Sequence, residues 1–149
     1  MGFITEETMR KQQFAPLAAC ESSSVHVEEF KNSKRILLVE DDDDTADAIC
    51  RLLQGIGYDV KVAGSIASAS KIAAESSLDL VISDIGLPDG TGLELMCQLR
   101  DRHGLKGICL SGFDSSQDIE LSKTAGFVAH LVKPFNIEKL ESLIKQFMP

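Results

Sequence analysis

Ile36-Leu37-Leu38-Val39-Glu40-Asp41-Asp42-Asp43-Asp44 carries four aliphatic residues without interruption into five acids. The apolar run has strand length and no polar alternation, the pattern of a strand covered on both faces in a parallel sheet. The same texture recurs in Val60-Lys61-Val62, Leu78-Asp79-Leu80-Val81-Ile82, Gly107-Ile108-Cys109-Leu110 and Ala129-His130-Leu131-Val132. Five strands are expected.

Helical patterns separate them. Ile49, Leu52, Leu53 and Ile56 recur at i, i+3, i+4 and i+7, which lays one apolar stripe along a helix. Leu93, Met96 and Cys97 stripe a later helix, and Ile137, Leu140, Leu143, Ile144 and Phe147 stripe the last. Residues 65–76 carry Ile66, Ala69 and Ala73, and Asp114 followed by Gln117 has capping-box spacing that opens a helix to about Ala125. Gly55-Ile56-Gly57 and Gly126 supply stops before the second and fifth strands. The alternation predicts an α/β fold, a doubly wound flavodoxin-like (βα)5 sandwich whose parallel five-stranded sheet has the order 2-1-3-4-5.

Composition agrees. The 149 residues are 44% hydrophobic but only 5% aromatic, without Trp, so the core is aliphatic. A net charge of -8 with no cluster of Lys and Arg argues against a nucleic-acid surface, which needs cations to displace counterions. Cys20, Cys50, Cys97 and Cys109 are widely spaced, with no C-x-x-C pair, and are expected to be reduced thiols of a cytoplasmic protein. Leu17-Ala18-Ala19-Cys20 has the small-residue pattern of a lipoprotein cleavage site, but Glu6, Glu7, Arg10 and Lys11 interrupt the apolar stretch that such a signal requires. No membrane insertion is expected. Residues 1–33 show no sustained period and are expected to form a flexible extension or linker ahead of a domain spanning 34–149.

In such a sheet ligands bind beyond the carboxyl ends of the strands, beside the switch point between the first and third. Glu40 and Asp41 end the first strand there, and Asp84 follows the third in Ser83-Asp84-Ile85-Gly86-Leu87-Pro88. Alone, an acidic run is a solvated helix cap; at the end of a buried strand, Glu40 and Asp41 point instead to a hard cation, best magnesium. Asp42, Asp43 and Asp44 are left to solvent and capping. With that charge offset, Asp84 can attack a phosphoryl group in line. Ser111 after the fourth strand and Lys133 after the fifth bring a hydroxyl and an ammonium to the same edge, and Pro134 is a place for a cis peptide.

Ile36–Asp41, Val81–Gly92, Leu110–Gly112 and Lys133–Phe135 together resemble the signature regions of response-regulator receiver domains, over roughly residues 34–148. The resemblance implies a two-component signalling switch that catalyses its own phosphorylation and dephosphorylation rather than turning over a substrate. It implies that Asp41 binds Mg2+ directly and Glu40 through water, with Asp84 as phosphoacceptor and the backbone carbonyl of Gly86 completing the metal shell. It further implies that Ser111 is the switch hydroxyl and Lys133 pairs with the phosphoryl group. His130 stands where the family commonly has Tyr or Phe, and an imidazole there packs or titrates. Gly86 and Phe113 resemble positions that tune acyl-phosphate lifetime.

The implied partner is a histidine kinase or a histidine phosphotransfer protein. The resemblance is greatest to receivers of hybrid sensor histidine kinases, and no nucleic-acid binding in cis is expected. The polar helix after Asp114 is read equally as a solvated surface or as one that pairs with partners, including a second copy on phosphorylation. Two alternatives stand beside this reading. One is a pseudo-receiver that acts by protein contact without phosphorylation; the other is a flavodoxin-like cofactor binder, which would want a phosphate-cradling Gly/Ser/Thr loop where this chain has acids.

Overall fold

The computed structural model describes residues 34–112 and 116–148. The expected N-terminal extension with Cys20, and Phe113 and Asp114 with its capping-box spacing, lie outside the described residues. Strands β1 (Arg35–Val39), β2 (Asp59–Ala63) and β3 (Leu80–Asp84) alternate with helices α1 (Asp43–Ile56) and α2 (Ile66–Glu75). After β3 come two-residue strands β4 (Gly86–Leu87) and β5 (Gly90–Thr91), then α3 (Gly92–His103), β6 (Gly107–Ser111), α4 (Ser116–Ala125), β7 (Phe127–Val132) and α5 (Ile137–Phe147).

The sheet is parallel and ordered β2-β1-β3-β6-β7. Counting its five members alone, this is the expected 2-1-3-4-5. Both central strands are sealed, with Ile36 to Val39 and Leu80 to Ile82 fully buried. Alternation along β1 sends Leu37 and Val39 into a cluster with Ala69, Ala73, Leu95, Met96, Leu99 and Ala125 of α2, α3 and α4. Ile36 and Leu38 therefore face the other layer, where right-handed crossover places α1. There α5 approaches the α1–β2 turn, with Lys145 and Glu141 within electrostatic reach of Tyr58.

Three local expectations are corrected. The buried stripe of α1 is Ala46, Ile49, Cys50 and Leu53, whereas Leu52 and Ile56 are 48% and 38% exposed. Small Ala46 and Cys50 let the helix lie close to the sheet, which turns the larger Leu52 and Ile56 to the margin. In α3 the buried face is Gly92, Leu95, Met96 and Leu99, and Leu93 and Cys97 sit at its border. Strand β3 begins and ends two residues later than the apolar run suggests, so Asp84 is its last residue. Ser83 makes this feasible: buried, it donates its hydroxyl to the Asp84 carbonyl at 2.8 Å and carries no unsatisfied polar group into the sheet.

Candidate functional site

Register brings the chemistry to one crest. Val39 pairs with Ala63 and Ser83, and Glu40 extends the ladder by donating its backbone N–H to Ala63 at 3.0 Å. Asp84 pairs with Leu110 and Ser111 with Val132, while the Lys133 N–H donates to the Ser111 carbonyl at 2.7 Å. Parallel strands that start level thus end level, and the residues that follow them converge. The chain then turns away from the crest into α1, whose first turn is capped by Asp42 accepting from the Thr45 N–H and hydroxyl. The Thr45 hydroxyl, then its backbone N–H, hold the Asp42 carboxyl below its usual range.

Glu40, Asp41 and Asp84 each offer a carboxylate oxygen within 4.8 Å of the others. Glu40 is only 3% exposed, Asp84 is half-buried and Asp41 is open to solvent. The Lys133 ammonium bridges two of them, donating to Glu40 Oε1 at 2.9 Å and to Asp84 Oδ2 at 3.1 Å. Burial opposes the charge on Lys133, but the bonds to Glu40 and Asp84 outweigh it and raise its pKa. Three carboxylates against one ammonium leave two negative charges unmatched. A small divalent cation with hard oxygen preferences fits that donor set and that deficit.

The Asp84 side chain is held at both oxygens. Oδ1 accepts the Ile85 backbone N–H at 2.8 Å and Oδ2 faces Lys133. Behind it, Gly92 lies so close that a Cβ there would stand 2.1 Å from the Asp84 carbonyl oxygen and 3.0 Å from Ser83 Oγ. Gly92→Ala is therefore expected to push α3 away from β3 and destabilise the fold by about 2 kcal/mol, as overpacking does. A urea titration checks this, and an unchanged midpoint would refute it.

Ser111 is buried at the end of β6, tied to Lys133 through its carbonyl. Gly86 lies at the mouth with open space where a side chain would project. His130 is not part of the acid cluster. It pairs in register with Cys109, two residues short of the Ser111–Val132 pair at the crest, and its Nδ1 lies 3.4 Å from Ser122 Oγ of α4. The Lys133–Pro134 peptide is cis. Cys109 is silent: burial first, and the Asp84 charge next, push its thiol up to about 12, so the sulfur stays protonated and non-nucleophilic.

Several participants escaped sequence reasoning. The Ile85 N–H and the Ser83 hydroxyl fix Asp84, and Asp89 caps α2 from 22 and 23 residues away. A backbone donor leaves no trace in residue identity. For Asp89 the only signal was its place in a Pro-Asp-Gly turn.

A doubly wound parallel sheet with acids from its first and third strands and a lysine after its last has the make-up of a signalling receiver, and the family comparison agrees. Residues 36–145 match the response regulator receiver domain family, and the chain belongs to that family. Curated relatives include sensor kinase CckA of Brucella abortus, 32% identical over 90% of this chain and 14% of that protein. Another is aerobic respiration control protein ArcA of Escherichia coli, 35% identical over 70% of this chain and 44% of that one. The chain thus spans less than half the length of either relative. Among solved structures, a CheY-like receiver domain protein of Methanospirillum hungatei superposes with a TM-score of 0.73 at 33% identity, covering 77% of this chain and 93% of that one. Response regulator TrrA of Thermotoga maritima, solved in complex with Mg(2+)-BeF, gives 0.70 at 32% identity, covering 77% and 99%. Among the described residues no helix is long and apolar enough to cross a membrane.

Proposed function

We propose that this receiver domain takes a phosphoryl group from a phosphohistidine partner onto Asp84 and changes its α4–β7–α5 surface in response. The observation that carries the reading is the Lys133 ammonium shared between Glu40 and Asp84 beside a third carboxylate. Glu40, Asp41, Asp84 and the Gly86 carbonyl would hold magnesium. When bound, magnesium neutralises the gathered charge and orients the incoming phosphoryl oxygens.

A carboxylate oxygen of Asp84 attacks phosphorus. The new O–P bond forms as the P–N bond to the donor imidazole breaks, and that bond's electron pair returns to the ring nitrogen. A carboxylate nucleophile needs no general base, so the chain contributes positioning and charge. The Ile85 N–H fixes the carboxylate plane, and Lys133 is placed to follow the charge onto the phosphoryl oxygens. Ser111, at the same crest, then donates its hydroxyl to a phosphoryl oxygen. His130 follows inward, carrying the change to Ser122 and α4.

The donor is a histidine kinase or a histidine phosphotransfer protein in the cytoplasm. The similarity to CckA, a sensor kinase, supports a place within or beside a hybrid kinase. The similarity to TrrA, solved with Mg(2+)-BeF, supports the metal and phosphoryl assignment. Incubation of the chain with phosphoramidate and magnesium, followed by intact mass, tests the proposal. One base-labile phosphoryl adduct is expected. No adduct from any donor, together with no magnesium binding, would sink it in favour of a module that acts by contact alone.

A further inference from the structure

The first amides of α2 divide their hydrogen bonds between two sources. Ser65 supplies the local cap: its hydroxyl accepts from Ser68 N–H at 3.1 Å, and its carbonyl accepts from Ala69 N–H at 3.0 Å. The two amides ahead of these are beyond its reach. Ile66 N–H donates to Asp89 Oδ1 at 2.8 Å and Ala67 N–H to Asp89 Oδ2 at 3.0 Å. One carboxylate, delivered from the loop after β3, thus completes the N-terminus of a helix that precedes β3, with its charge on the favourable end of the dipole.

That loop is a compact unit. Gly92 N–H closes it onto the Ile85 carbonyl at 2.7 Å, and β4 pairs with β5 inside it. Leu87 plugs it into the core. Gly90, at φ +151°, threads between α2 and α3, where a Cβ would meet Ile66 Cδ1 and Glu94 Oε1 at 2.7 Å each. The loop's first amide holds Asp84 Oδ1, and its second residue is Gly86. A unit this tightly closed moves as a body, so whatever fixes its far end also fixes the near end at Asp84.

We propose that Asp89 is a positioning residue: by binding the first two amides of α2, it sets the 85–92 loop, and with it the Asp84 carboxylate and the Gly86 carbonyl, in the arrangement that accepts metal and phosphoryl group. The metal and phosphoryl part rests on the function proposed above. The coupling of loop to helix does not.

Asp89→Ala, Asp89→Asn and Ser65→Ala separate positioning from plain helix stability. Asp89→Ala removes both bonds to α2. Asp89→Asn removes the charge but keeps one acceptor oxygen. Ser65→Ala weakens the same helix end from the other side, leaving the loop anchored. Magnesium affinity, from amide shifts in a titration, and the rate of adduct formation with phosphoramidate are expected to fall on the order of tenfold in Asp89→Ala. An intermediate fall is expected in Asp89→Asn, and little change in Ser65→Ala even where its thermal midpoint drops as far. Equal losses in Asp89→Ala and Ser65→Ala, equal losses in the two Asp89 variants, or no loss at all would overturn the proposal.

Should the wild-type chain bind no magnesium and take no phosphoryl group, the functional reading falls, and amide exchange judges the coupling by itself. Asp89→Ala must then accelerate exchange at Ile66, at Ala67 and through residues 85–91 together. Acceleration confined to α2 would refute it.

Discussion

Asp84→Asn is expected to abolish phosphoryl uptake rather than slow it. The amide matches the carboxylate in volume, and its oxygen can still accept the Ile85 N–H that holds Oδ1, so the strand end and the loop keep their shape. What is lost is the nucleophile: an amide oxygen carries no full charge and cannot yield a stable acyl phosphate. The amide nitrogen would also stand where Oδ2 now accepts from Lys133, placing donor against donor. Incubation with phosphoramidate and magnesium should leave the variant at its starting mass while wild type gains one adduct. An adduct of equal yield in the variant would move the acceptor elsewhere, first to exposed Asp41.

Lys133→Met should give the largest loss of stability without phosphorylation. Glu40 is almost completely buried, and its Oε1 and Asp84 Oδ2 share the single ammonium of Lys133. Removing that ammonium leaves a buried carboxylate unpaired beside two others, a change that costs roughly 3 kcal/mol by comparison with other broken buried pairs. Urea unfolding at neutral pH measures it, and added magnesium should recover part of the loss, since a divalent cation offsets the same charges. The pH dependence has a definite sign. The folded pKa of Lys133 is raised, so its contribution is complete below the ordinary lysine value of 10.5 and is lost as pH climbs through the higher folded value. Wild type and variant should therefore differ at pH 7 to 9 and converge in the alkaline range. A constant gap across that range would refute the role of the ion pair.

The parts of the fold legible in the sequence were those with a one-dimensional signature. Ile36 to Val39 and Leu80 to Ile82 are apolar because both sheet faces are covered, so their strands and order follow from composition and the crossover rule. The stripe of α1 was less legible, since Leu52 and Ile56 satisfy the helical period as well as Ala46 and Cys50 do. Only close packing on the sheet selects the smaller pair. Strands β4 and β5, at two residues each, are too short to carry any period.

The site divides in the same manner. The convergence of Glu40, Asp41, Asp84 and Lys133 was legible because charge at the end of a buried strand is rare and the fold dictates where strand ends meet. Their partners were not. Lys133 reaches Glu40 across 93 positions and Asp89 reaches Ile66 across 23, and the donors at Ile85, Ile66 and Ala67 are backbone groups that any residue would supply.

Among the described residues strand β7 is paired on one side only, and its ladder with β6 carries a register shift between Gly107 and Ile108. β1 and β3, by contrast, are flanked on both sides and sealed above and below. Support by neighbouring strands and layers therefore falls from the centre of the sheet to this margin. The acids stand at the ends of these two strands, where a displacement of fractions of an ångström would spoil their spacing. His130 lies on the strand at this margin and Lys133 directly follows it. On the function proposed above, a push applied at the centre of the sheet would be converted into movement at this rim, as in a lever with a fixed fulcrum.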